Sequence, residues 1–474
     1  MSQAATPARS VDRASAAAET AALQTAALQR ELERWAWLAI GALAVAGAFA
    51  LLLALSRVPG MEEARLWPLG FFYKGLVIHV VFSLVIWLLA VFAFLVAAAT
   101  LDLATHGSDA LVAAPLGRIG QGVALVAFPC LFAPAFLSSS EPELTNYVPL
   151  IRHPAYDIGL LLLAAGILAP VARLFMNLPG ARGKWPPLAF AMAIGGFVYV
   201  LALLSFAIAA VLLAREGGLM AGREPLLWGG GHLMSFVYTV VLLANWLILA
   251  RRALGHGALG DGPFLFALAL VGALALPAPL FYLAFPPFSE GQHEAFRLLQ
   301  FGLAAPTLII AVAIARALAS AARWPWRDPA FFALFASLAL FALGGVLGFL
   351  VGSYDTRIPA HYHAVVTAVS VASAGMLMTL GLEKVGRPAA PAGTLRGLLA
   401  LYAGGQFVAS IAMFVAGGYG AARKTPTGAG ALDAVAAAGM AVHGIASIFT
   451  ILGGAAFVVF AVRAFARAPV GRGR

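Results

Sequence analysis

The sequence predicts an all-α polytopic membrane protein, a single bundle of twelve transmembrane helices, and three observations predict it. The mean hydropathy of +0.93, with 62% apolar and 11% charged residues, lies far outside the range of soluble domains. Twelve apolar runs, each at or above the ~20 residues that a bilayer core requires, recur along the chain. Basic residues crowd into alternate loops, as they do when a chain crosses a membrane repeatedly. A length of 474 residues would suit three soluble domains, but helices of this kind pack as one body.

Residues 1–35 are rich in Ala, Gln, Glu and Arg and lack the pattern of a cleaved signal peptide. They read as a cytoplasmic tail that becomes a surface helix near Leu23–Arg34, with Leu23, Leu28 and Leu32 on one side. The membrane domain, 36–465, holds runs at 36–56, 76–100, 116–139, 156–178, 188–214, 226–250, 262–285, 295–320, 329–352, 360–382, 395–419 and 437–462, and 466–474 form a short cytoplasmic tail. Twelve crossings put both termini on one side. That side carries 20 of the 30 basic residues and 9 of the 20 acids, so the positive-inside rule makes it cytoplasmic, in a bacterial-type inner (plasma) membrane. Every even-numbered run then begins at the outer face. The net charge of +10 is spread over these short loops and records orientation, so no nucleic-acid partner is expected.

Cys130 is the only cysteine, which excludes a disulfide framework, a Cys-ligated zinc site and an iron–sulfur cluster held by this chain alone. Metal ligation falls to histidine. Of nine histidines, His79, His232, His361, His363 and His443 open the second, sixth, tenth and twelfth runs, all in the outer third of the bilayer. Intramembrane ionisable residues are costly and usually functional, and five at one depth point to a shared haem or metal layer. His106, His153, His256 and His293 fall in loops. In His361-Tyr362-His363 the two imidazoles are two residues apart, roughly 200° around a helix, and cannot serve one metal together. A helix wedged between two haems, giving one nitrogen to each, fits best.

Twelve runs, a His opening the second, a His near the start of the sixth and a His-X-His opening the tenth together resemble subunit I of the haem-copper oxidase superfamily, which includes cytochrome c and quinol oxidases and nitric oxide reductases. The resemblance implies that His79 and His363 are axial ligands of a low-spin haem and that His361 is the proximal ligand of a high-spin haem. It sets His232, in Trp228-Gly229-Gly230-Gly231-His232, at the copper or non-haem iron position facing the second haem. The three glycines imply a close approach or a loose helix start. Arg423 and Lys424, after the eleventh run, resemble the basic pair that clamps haem propionates, and otherwise read as a solvated charge pair.

The sequence departs from the family where the resemblance calls for two adjacent histidines ending the seventh run. Counting back from Pro306-Thr307 puts Phe281-Tyr282 there, with His293 the only histidine nearby. One imidazole holds copper poorly, since such sites take about three or four donors, so a vestigial site without copper is expected. Phe281, Tyr282 and His232 would wall the pocket, with His232 and Tyr282 the candidate reacting side chains. Phe236 stands four residues after His232, where related oxidases carry a crosslinked Tyr, and no Lys, Asp or Glu lies mid-membrane, so a proton pump is not expected. His443 has no counterpart among the family's ligands and reads as a core histidine or a contact to a haem edge. The loop Ser138–Tyr156 reads as a partner-facing or an ordinary ordered loop.

The resulting expectation is a respiratory membrane oxidoreductase subunit with two haems of b type, passing electrons toward oxygen or nitric oxide. The alternative is a dihaem relay between quinol or cytochrome c and a partner complex, without gas reduction. Either would work with accessory membrane or periplasmic cytochrome subunits. A His-lined transporter without haem would place its site nearer the bilayer midplane.

Overall fold

The computed structural model describes residues 8–55, 71–106, 111–145, 148–180, 183–216, 218, 223–255, 257, 259–351, 355–423 and 432–470. Twelve helices among them are long and apolar enough to cross a membrane: α1 (Ala22–Leu55), α2 (Phe72–Thr105), α3 (Pro115–Phe136), α4 (Pro154–Asn177), α5 (Pro187–Arg215), α6 (Glu224–Leu254), α7 (Asp261–Ala284), α8 (Glu290–Ala319), α9 (Pro329–Phe349), α10 (Arg357–Lys384), α11 (Ala392–Gly418) and α12 (Ala434–Phe465). Each coincides with one of the twelve apolar runs.

Burial divides them into a centre and a rim. Between 78% and 83% of the apolar window of α2, α6 and α10 is buried, against 22% for α8 and α12. The three central helices are those that carry His79, His232, His361 and His363. Chain neighbours pack in pairs, α3 on α4, α5 on α6, α9 on α10 and α11 on α12, and α1 closes the ring by packing on both α2 and α12. Two central helices depart from α geometry, at Val81–Ile86 just after His79 and at Leu377–Gly381. Such π-helical turns rotate the side chains that follow and often mark functional positions.

The end of the bundle that carries the termini is tied by ion pairs. Lys384 of α10 meets Asp102 of α2 at 2.5 Å, and Arg252 of α6 meets Glu383 of α10 at 2.6 Å. Arg387 pairs with Glu33 beside them.

The N-terminal stretch differs from the surface helix expected of it. The first helix runs unbroken from Ala8 to Leu55, and Leu28, Leu32 and Trp35 extend its buried face at i, i+4 and i+7, while Leu23 is exposed. Glu31 is buried with them, its two carboxylate oxygens accepting from Arg173 of α4 at 2.5 and 2.9 Å. Apolar packing and this bidentate pair draw the segment into the bundle. Removing one partner of a buried pair costs about 3–5 kcal/mol, whereas replacing both with apolar residues is often neutral. Thermal melts in detergent should therefore show Glu31→Ala strongly destabilised and Glu31→Leu/Arg173→Met close to wild type.

At the other end, β1 (Glu141–Glu143) and β2 (Leu150–Arg152) form an antiparallel hairpin, so Ser138–Tyr156 holds an ordered element. Glu143 accepts from the Arg152 side chain at 2.9 Å and from the Arg223 backbone N–H at 3.1 Å. Partial burial pushes its carboxyl up, but the hydrogen bonds and charges of the two arginines outweigh this and hold it below the usual range. A depressed carboxylate contributes stability above its unfolded pKa and loses it as pH falls through the folded value. Melting temperature should thus fall more steeply below about pH 4 in wild type than in Glu143→Gln, which lacks this titration.

Candidate functional site

All five intramembrane histidines line one cavity of about 2150 Å³. Ordinary small-molecule pockets hold roughly 300–1,000 Å³, so this space takes more than one large ligand. Its walls are mostly apolar, and its contributors come from α1, α2, α4, α5, α6, α8, α9, α10, α11 and α12.

Four of the histidines share one arrangement. The Nδ1 of His79 lies 2.9 Å from the Ala46 carbonyl, that of His232 2.6 Å from Trp228 O, that of His361 2.7 Å from Gly344 O and that of His443 3.2 Å from Ala409 O. A carbonyl only accepts, so each Nδ1 carries the proton and each Nε2 the lone pair. That tautomer, held by a backbone oxygen, is the one in which imidazole ligates a metal through Nε2. His363 is held differently, its Nδ1 lying 3.4 Å from the side-chain amide of Gln406 on α11.

His361 and His363 face different helices. His361 turns to α9, where its ring lies over Gly348, and a Cβ there would come within 2.7 Å of ring atoms. Gly344, one turn away, leaves equally little room, since its Cβ would approach Val365 at 2.6 Å. The Gly344-x-x-x-Gly348 spacing thus forms the trough that seats this imidazole, a signal present in the sequence but not read from it. His363 turns instead to α11. The two imidazoles are therefore held from different helices, on different sides of α10.

Aromatic rings crowd the surroundings of His232. Among the described residues, no three His, Cys, Asp or Glu side chains come together as a metal-binding group. The indole of Trp228 packs against both His232 and His293, with centroids at 4.7 and 4.9 Å, and its N–H donates to the His293 carbonyl at 3.1 Å. His293 belongs to the first turn of α8 rather than to a loop. The glycines before His232 lie inside α6 and permit close approach: a side chain at Gly229 would meet Tyr282 and Phe296, and one at Gly230 would meet the ring of Phe206. Tyr282 packs on Phe296 at 5.5 Å, and neither it nor Phe281 lines the cavity. The chain leaves helical geometry at Pro277-Ala278-Pro279 and re-enters through a short 3₁₀ turn, which carries both rings behind the wall.

Arg423 lines the cavity. Its loop is held by Thr356 N–H donating to the Ala421 carbonyl at 3.0 Å and by a bridge between Asp355 and Ala422, while Gly420 takes φ of +90°. Lys424 lies outside the described residues. A second cation in the lining is Arg223, which grips Asp157 of α4 with two bonds of 2.5 and 2.9 Å. Arg297 and Gln300 of α8 also line the cavity, the latter donating to the His232 carbonyl at 3.0 Å. Sequence alone gave no means of separating Arg223 and Arg297 from ordinary loop charges.

Comparison with known proteins agrees with this geometry. A solved haem-copper terminal oxidase dimer shares the fold, with a TM-score of 0.77 at 19% identity, over 94% of this chain and 85% of that one. An uncharacterised protein of Aquifex aeolicus (strain VF5) is 27% identical over 368 residues, covering 74% of this chain and 86% of its own. One of Rickettsia prowazekii (strain Madrid E) is 22% identical, covering 89% and 94%. The family model for cytochrome c and quinol oxidase polypeptide I matches residues 33–454, nearly the whole membrane bundle, and the chain belongs to that family.

Proposed function

We propose that this chain is a membrane oxidoreductase subunit that carries a low-spin and a high-spin haem of b type and passes electrons toward oxygen or nitric oxide, without a complete copper site or a proton pump. His79 and His363 would hold the low-spin iron, and His361 would be the proximal ligand of the high-spin iron. The observation that carries this reading is the set of histidines on α2, α6 and α10 lining one cavity, with His79, His232 and His361 fixed by backbone carbonyls in the ligating tautomer.

Bound haem iron would supply the one-electron and gas-reducing chemistry. The chain's part is to orient and to exclude water. Ala46 and Gly344 aim their imidazoles, Arg423 in the lining would hold propionates, and His232 stands among the rings of Trp228 and Phe296. Between the histidines and the terminal end, α2 from Trp87 to Ala99, α6 from Leu233 to Ala250 and α10 from Ala364 to Leu382 contain no Asp, Glu or Lys. A proton pump that relies on such groups is therefore not expected, and the loop charges make the histidine end the outer face of a bacterial-type inner membrane.

A dihaem electron relay is the second reading, favoured by Trp228 packing against both His232 and His293, where a second metal would need donors to converge. Electrons would come from quinol or cytochrome c, through accessory membrane or periplasmic cytochrome subunits. Carbon monoxide added to the reduced protein separates the readings. One haem binding it is expected of a gas-reducing site, binding to neither selects the relay, and a protein without haem overturns both.

A further inference from the structure

One group of cations at the terminal end of the bundle is left without counter-charge. Arg251, Arg252, Lys384 and Arg387 each meet a carboxylate there. Arg323 and Arg327, in the turn from α8 to α9, and Arg396, in the second turn of α11, meet none among the described residues. The stretches 317–327 and 385–398 contain no Asp or Glu. Asp328 is taken up as the cap of α9, its carboxylate accepting from the Ala330 N–H at 2.7 Å and the Phe331 N–H at 3.2 Å. Arg396 donates from Nη1 to the Trp326 carbonyl at 3.0 Å, which brings its guanidinium to the backbone beside Arg327, and its buried Nε has no acceptor among the described residues. Like charges gathered without an acid favour an anion between them.

The same turn exposes aromatic rings. Trp324 and Trp326 are 43% and 44% exposed and pack against Phe331 and Phe335, with centroids between 4.8 and 6.5 Å apart. The Trp324 indole N–H donates to the Leu318 carbonyl at 3.1 Å, which fixes the turn against α8. None of these residues lines the histidine cavity, so the rings are exposed on the outside of the bundle. Phe335 and Val346, eleven residues apart and hence on one face of α9, continue the exposed surface along the membrane span, again away from the cavity. Tryptophan and arginine at the end of an apolar run mark the level of lipid head groups. An anionic lipid presents a phosphate at that level and hydrocarbon below it, whereas a soluble partner would reach the arginines but not Val346. We propose that the α8–α9 turn binds the head group of an anionic phospholipid, its phosphate between Arg327 and Arg396 and a tail along Phe335 and Val346. The site is independent of the haem reading.

The test is native mass spectrometry of the purified, full-length protein in detergent, delipidated and then titrated with phosphatidylglycerol or phosphatidylcholine. Wild type should take up one phosphatidylglycerol ahead of any phosphatidylcholine. Arg327→Gln and Arg396→Gln should each weaken phosphatidylglycerol binding about fivefold, the effect of one cation near an anionic head group. Arg118→Gln removes an exposed cation at the same end of the bundle, on α3, and should bind as wild type does. Equal affinity for the two lipids, or equal weakening in Arg118→Gln, overturns the site. So does a membrane subunit that co-purifies with wild type and is lost from Arg327→Gln while lipid binding stays the same in every variant.

Discussion

Replacing His363 with leucine should abolish the low-spin haem spectrum and leave the carbon monoxide-binding haem in place. The basis is the separation across α10: His363 meets Gln406 of α11, while His361 is held by Gly344 of α9. The two imidazoles share a helix but no partner. Low-spin iron needs two strong axial nitrogens, so losing His363 leaves His79 unable to complete that state. Leucine keeps an apolar volume in the wall, which limits collapse of the cavity. The measurement is the reduced-minus-oxidised spectrum with and without carbon monoxide. Equal loss of both haems would mean that the two faces of α10 are not independent.

The second large effect is expected at a position that touches no haem in this account. Gly348→Val should displace the His361 ring, because a Cβ there would lie 2.7 Å from its Cε1 and Nδ1, closer than packed side chains approach. The protein should lose most of its carbon monoxide-binding haem and keep its low-spin spectrum. Gly345→Ala is the matched control, since a Cβ at Gly345 meets nothing within 4 Å although the residue lines the same cavity. Equal spectra in the two variants would contradict the proximal role of His361.

These two residues show what could be read from the chain and what could not. The twelve spans were legible because membrane crossing depends on run length and hydropathy, both local properties. The depth of the histidines followed from counting along those runs, and the opposed faces of His361 and His363 from helical geometry alone. The supports of these histidines were not legible. The Gly344 carbonyl lies 17 residues from His361 and Ala46 lies 33 from His79, and a backbone oxygen has no signature in sequence. The burial of the N-terminal helix escaped for the same reason, because Glu31 finds Arg173 across 142 residues. Tyr282 was set in the pocket wall by counting, and the two prolines before it turned its ring away. His443 read as a core histidine or a contact to a haem edge, and the packing of α12 on α11 brings it to the cavity.

The most direct test of two haems without a complete copper site is the haem, iron and copper content of the purified protein, measured per chain beside its reduced-minus-oxidised spectrum. Two haems and two irons per chain, with copper far below one, are expected. One haem, or stoichiometric copper, would contradict the account.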